Sequence, residues 1–155
     1  MHIYLVRHAH AIDGNNDAAR PLSKKGLAQI RAVGGQLREA KAVEAKEIWH
    51  SHLVRSEETA VRLTKRLRLD AELRSVSGIK PDDEPGTIAR RLENLREPVV
   101  LVGHEPHLSA LATLLVLGKA AAPRFHFKKC SVLRLDRDGE HWSVRWQVSP
   151  EVARK

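Results

Sequence analysis

Residues 3–10 read Ile3-Tyr4-Leu5-Val6-Arg7-His8-Ala9-His10, and residues 99–104 read Val99-Val100-Leu101-Val102-Gly103-His104. Each is a short continuous apolar run, the pattern of a strand buried on both faces of a parallel sheet. Each also delivers an imidazole at its carboxyl end, the first with an arginine beside it. In open α/β sheets ligands bind outside the carboxyl ends of the strands, so these two ends can converge. Arginine offers a planar fork of donors that matches phosphate oxygens, and imidazole serves as nucleophile or proton carrier near neutral pH. The pattern points to phosphoryl chemistry.

Outward from these strands, the chain alternates strand and helix. After strand 2–7 comes a polar loop, Asp13-Gly14-Asn15-Asn16-Asp17 to Arg20-Pro21, and then Ser23 as a helix N-cap. Leu27, Ile30, Gly34 and Leu37 carry a helical stripe to about Ala40, and Glu47–His50 reads as a second strand. A helix from about Arg55 to Leu67 buries Ala60, Leu63 and Leu67. An extended piece near Leu73 leads into the loop 78–86. A third helix then presents Ile88, Leu92 and Leu95 on one face and is stopped by Pro98. A fourth starts after His104 with Pro106 in its first turn, and its Leu108, Leu111, Ala112, Leu115 and Val116 look buried nearly all round. Val132–Asp136 and His141–Val148 flank Asp138-Gly139, a hairpin signal. This order predicts an α/β fold: a three-layer α/β/α sandwich with a mainly parallel central sheet and antiparallel pairing at the C-terminal hairpin.

With 155 residues, 42% hydrophobic and 30% charged, the chain reads as a single domain over residues 1–155. No apolar run approaches the length that crosses a bilayer. The amino terminus reads as a strand and not as a signal segment, so a cytoplasmic location and no membrane partner are expected. One cysteine, Cys130, excludes an internal disulfide and a multi-cysteine zinc site. The net charge of +8 invites a nucleic-acid reading. Against it, Arg62, Lys65, Arg66 and Arg68 read as outer helix faces, interspersed with acidic residues. The aromatics are too few for base-stacking platforms. A basic surface that attracts acidic or phosphorylated partners is the expectation.

Three further features stand at strand–helix junctions: Arg20-Pro21-Leu22-Ser23-Lys24-Lys25-Gly26, Ser51-x-x-x-Arg55-Ser56-x-x-Thr59-Ala60, and Val102-Gly103-His104-x-Pro106. Together with Leu5-Val6-Arg7-His8-Ala9, they resemble the histidine phosphatase superfamily, and within it the short phosphohistidine phosphatases of the SixA type. The resemblance runs from residue 3 to about residue 117, and the short chain without a lid insertion suits that branch. It implies a single histidine phosphatase-like domain in which His8 is the nucleophile that forms a transient phosphohistidine. Arg7, Arg55 and His104 complete the phosphate pocket, and Arg20 lies near its mouth. His52 stands where relatives commonly have proline. The physics of the residues agrees: guanidinium groups beside His8 disfavour its protonation, and they offset the charge of a phosphoryl group in transit.

A phosphomonoester leaving group needs a proton donor, and the candidates are Glu105, Asp82, Asp83 and Glu84. Each also has a plainer reading, Glu105 as company for a helix dipole and the others as a solvated turn. A phosphohistidine substrate relaxes the requirement, because its P–N bond is labile once the leaving imidazole is protonated. The pairs His8/His10, His50/His52 and His104/His107 have the look of zinc ligands, but Arg7 and Arg55 set positive charge against a cation. Neither a metal nor another cofactor is expected. His10 and His107 read as neighbours at the pocket rim. The expected partner is a phosphorylated protein bearing phosphohistidine, or a small phosphorylated metabolite, met by a monomer. A non-catalytic phosphate-binding regulatory module is the competing class. A mutase is disfavoured because little of the chain is left to form a lid that excludes water.

Overall fold

A computed structural model of the protein describes residues 1–153. Its strands are β1 (His2–Arg7), β2 (Glu47–His50), β3 (Glu72–Ser75), β4 (Val99–Gly103), β5 (Val132–Asp138) and β6 (His141–Val148). Its helices are α1 (Lys24–Glu39), α2 (Val54–Leu67), α3 (Pro85–Glu93) and α4 (His107–Leu117). The strands form one sheet in the order β3-β2-β4-β1-β5-β6. Pairing is parallel from β3 through β2 and β4 to β1, and antiparallel from β1 to β5 and from β5 to β6. Among the described residues no helix is long and apolar enough to cross a membrane.

Side chains alternate across a strand, and that alternation builds the three layers. Tyr4, Val6, Ile48, Val100 and Val102 face α1 and α2, where Ile30, Val33, Ala60 and Leu63 meet them. Ile3, Leu5, Trp49, Leu101 and Leu133 face α3 and α4, against Ile88, Leu92, Leu108 and Leu111. Because both faces are covered, Ile3–Val6 of β1 and Val99–Val102 of β4 are buried throughout, which is why both read as unbroken apolar runs.

Local differences from the sequence reading have local causes. Helix α3 ends at Glu93, ahead of Pro98, because the Asn94 amide bonds back to the Arg91 and Leu92 carbonyls and closes the last turn. Leu95 therefore lies beyond the helix, half-buried against the core. Pro106 is the cap of α4 and not part of its first turn. Val116 is only half-buried and Leu117 is exposed, since the last turn of α4 emerges from the core. Arg66 is not simply solvated: it packs over Gly34 and Gly35 of α1, and its Nε donates to the Arg31 carbonyl at 3.2 Å.

The N-terminus of α1 clamps the loop that follows β1. The Ser23 hydroxyl caps the helix by accepting from the Gly26 amide at 3.0 Å, and it lies 2.6 Å from His10 Nδ1. A Cβ placed on Gly26 would stand 2.1 Å from the His10 carbonyl oxygen, a backbone atom that cannot swing away. Gly26→Ala is therefore expected to lower the urea midpoint, with a loss of about 1–3 kcal/mol typical of overpacking. Gly14→Ala is the control: its nearest neighbour would be a flexible arginine carbon at 3.8 Å, and its stability is expected to hold or rise slightly.

Candidate active site

Strand register brings the two imidazoles together. Arg7 pairs with Gly103 across β1 and β4, so the next residue on each strand, His8 and His104, leaves the sheet side by side. The His8 amide donates to the Gly103 carbonyl at 3.0 Å, and the two rings lie 5.1 Å apart between centroids. On the other side of β4, His50 pairs with Val102, which sets Ser51 beside the same strand end. Helix α2 begins just beyond and turns Arg55 inward, leaving it only 5% exposed.

His8 is 6% exposed, and its Nδ1 lies 2.7 Å from the Ala9 carbonyl. A carbonyl only accepts, so Nδ1 holds the proton and the neutral ring keeps its lone pair on Nε2. Burial is the main cause that lowers the His8 pKa to about 4, with smaller contributions from Arg55, Arg7 and Lys129. The guanidinium groups thus reinforce an effect that desolvation begins. His104, 1% exposed, is lowered to about 3, again by burial first.

Ser51, fully buried, accepts from the Leu53 amide at 3.2 Å and stands 2.6 Å from His104 Nε2. Its amide in turn donates to Ser56 Oγ, whose hydroxyl donates to the Val102 carbonyl. Thr59 ties α2 to the loop after His8: its Oγ1 accepts from the Ala9 amide at 3.0 Å and donates to the Arg55 carbonyl at 2.7 Å. In the sequence, Ser51 and Thr59 stand out only as members of a motif. A small hydroxyl placed where a buried strand or helix end needs a partner is the signal each offers.

Two cationic side chains border the imidazoles. Arg7 donates from one terminal nitrogen to the Phe127 carbonyl at 2.8 Å, while its Nε is buried without a protein partner, as is His104 Nδ1. Buried donors left unpaired cost about 1–3 kcal/mol each, so Arg7 Nε, and His104 Nδ1 in the tautomer in which Ser51 donates to Nε2, favour an acceptor brought by a ligand. Arg55 donates to the Asp17 backbone carbonyl at 2.9 Å and meets the Asp17 carboxylate at 3.4 Å. Arg20 binds the same carboxylate at 3.1 Å and the Ile12 carbonyl at 2.9 Å. Arg20 thus reaches the site through Asp17, a residue that the sequence presents only as part of a polar loop.

Three of the four candidate acids accept hydrogen bonds from backbone amides. Glu105 accepts from the Ser109 amide at 2.8 Å and from the Ser109 hydroxyl, holding the first turn of α4. Asp83 accepts from the Lys80 amide at 2.9 Å, Glu84 from the Gly86 amide at 3.4 Å, and Asp82 is exposed. The other histidines also have separate settings. His10 meets Ser23, His50 Nδ1 bonds the Ser51 carbonyl at 2.8 Å, and His52 Nδ1 lies 2.7 Å from Ser75 Oγ. His107 is buried, not at the rim, and burial lowers its pKa. Among the described residues no three histidine, cysteine, aspartate or glutamate side chains gather as a metal-binding group.

Residues 3–77 match the family model described as histidine phosphatase superfamily (branch 1). The His104 segment lies outside that match, and the β1–β4 register is what sets it beside His8. No curated protein sequence matches the chain. Among solved structures, the chain is similar to the protein histidine phosphatase SixA complexed with tungstate, with 24% identity, 97% of each chain covered and a TM-score of 0.85. It is similar to the alpha-ribazole phosphatase from Shigella flexneri, with 16% identity, 97% of each chain covered and a TM-score of 0.75. A phosphoserine phosphatase from Entamoeba histolytica shares the fold at 16% identity, with 97% of this chain and 98% of that one covered and a TM-score of 0.68. Residues 3–77 thus match the histidine phosphatase superfamily model, and nearly the whole length shares the fold of these phosphatases.

Proposed function

We propose that the protein is a phosphatase acting through a covalent phosphohistidine on His8, and that its substrate is a protein phosphorylated on histidine. The observation that carries this reading is the His8 Nδ1 bond to the Ala9 carbonyl, which leaves the Nε2 lone pair free on a neutral ring. In the first step Nε2 bonds to phosphorus and the substrate P–N bond breaks; the leaving ring, already protonated on its other nitrogen, keeps the electron pair and departs as neutral imidazole. In the second step water attacks the same phosphorus, the His8 N–P bond breaks with its electron pair returning to Nε2, and dihydrogen phosphate leaves carrying both protons of the water. Arg7 and Arg55 hold the phosphoryl oxygens, and Ser51 donates to His104 Nε2 so that His104 Nδ1–H faces an oxygen as a further donor.

The occupied carboxylates favour the phosphoramidate. Glu105, Asp83 and Glu84 serve backbone amides, and Arg20 holds the Asp17 carboxyl below its usual range, so it is ionised at neutral pH. A leaving imidazole does not depend on them as an alkoxide would. A second reading, a small-molecule phosphomonoesterase, is favoured by Asp17 itself. It is the carboxylate bound to Arg55, and an incoming phosphate dianion would raise its pKa toward that of a proton donor.

Brief exposure to a phosphohistidine protein, followed by denaturation, is expected to trap acid-labile phosphate on the wild type and none on His8→Asn. Absence of both phosphoenzyme and turnover with any phosphorylated substrate would leave a phosphate-binding module. Rapid turnover of small phosphoesters alone would establish the second reading. Arg55→Lys, which loses the fork, is expected to lower kcat by about 10²-fold or more, in the range seen for one lost transition-state donor. The pH profile carries its own sign. The reactive form of His8 is deprotonated, so activity is present above its pKa and lost as pH falls through about 4. The acid limb of kcat/KM should therefore lie near 4 and not near the 6.5 of an ordinary imidazole.

A further inference from the structure

Beside the candidate phosphate pocket lies a groove of about 540 Å³ between the start of α1 and the turn that precedes β5, with Arg7 in its lining. Lys25, Lys128 and Lys129 border it, and Ala28 and Ala32 of α1 form an apolar floor. Lys24 and Lys25 stand in the first turn of α1, which carries no acidic residue. Cations there oppose the helix dipole, so local helix stability does not account for them. Lys129 is set by a turn in which the Ser131 amide bonds the Lys128 carbonyl at 2.9 Å and Cys130 takes a positive φ of 62°. The Cys130 amide is fastened to the Arg7 and His8 carbonyls at 3.0 and 3.2 Å, which fixes that turn against the nucleophile's own strand.

We propose that this groove docks an acidic segment of the phosphorylated protein substrate, alongside the phosphohistidine held in the pocket. The inference rests on the phosphohistidine-protein reading given above and adds where the polypeptide lies. Charge complementarity carries it. Among the described residues neither Lys25 nor Lys129 has an ion-pair partner, and burial together with Arg7, Arg20 and Lys25 holds the Lys129 ammonium below the usual lysine range. The third lysine already shows the chemistry, since Lys128 binds the Glu151 carboxylate at 2.6 Å on the groove wall. A substrate carboxylate would take Glu151's place, and Arg7 makes the groove continuous with the phosphate site.

The test is binding, read without catalysis. Two fluorescent peptides carry a hydrolysis-resistant phosphonate in place of phosphohistidine, one flanked by glutamates and the other by glutamines. The wild type is expected to bind the glutamate peptide about tenfold more tightly at low ionic strength, with the preference shrinking as salt rises. Lys25→Glu combined with Lys128→Glu is expected to abolish the preference, and Glu151→Gln, which frees Lys128, to enlarge it. Equal binding of both peptides by the wild type, or a preference that survives the charge reversal, would overturn the docking groove. Turnover of phosphoramidate by the wild type reports separately on the His8 chemistry, so the two readings fail by different measurements.

Discussion

The parallel pairing of β1 with β4 is the constraint on which the site depends. It sets Arg7 opposite Gly103 and so makes His8 and His104 neighbours although more than half of the chain lies between them. A slip of one residue would turn every side chain of a strand to the opposite face. Here that would drive the layer built on Tyr4 and Val6 into the one built on Ile3 and Leu5. The two hydrophobic layers therefore hold the register, and the register holds the geometry of the candidate site. Bonds from the Cys130 amide to the Arg7 and His8 carbonyls add a third strand end to the same junction.

Burial then decides the chemistry of the imidazoles. A histidine surrounded by cations at the surface would titrate only a little below its ordinary value, because water screens the charges. At the end of a covered strand, desolvation comes first and the guanidinium groups add to it. The same burial leaves Arg7 Nε and His104 Nδ1 without partners in the protein. Stability of the fold and readiness for an anion are thus two results of one arrangement.

The layers are legible in the sequence where a single requirement controls the side-chain pattern. Val99 to Val102 must be apolar because helices cover both faces, and Ser23 must cap because an amide needs an acceptor. Arg7, His8, Arg55 and His104 are legible because each stands at the end of an element whose limits the pattern defines. Asp17 is not, since its importance comes from a fold of the 13–20 loop that no periodicity encodes. Nor are Ser51 and Thr59, whose hydroxyls matter through His104 and Ala9, partners far away in sequence. The ends of α3 and α4 differ from the pattern by a few residues because backbone bonds at Asn94 and the cap at Pro106, not the apolar stripe, set them.

The carboxylate of Asp17 has one further consequence. It pairs with both Arg55 and Arg20 while remaining largely exposed, with 67% of its side chain in contact with solvent. An arriving phosphate must compete with a tethered anion that is always present at high local concentration. Under the proposed function that competition would weaken binding of a substrate phosphate and of the inorganic phosphate left after hydrolysis alike. Such a site would surrender some grip on its substrate and be cleared more readily of its product.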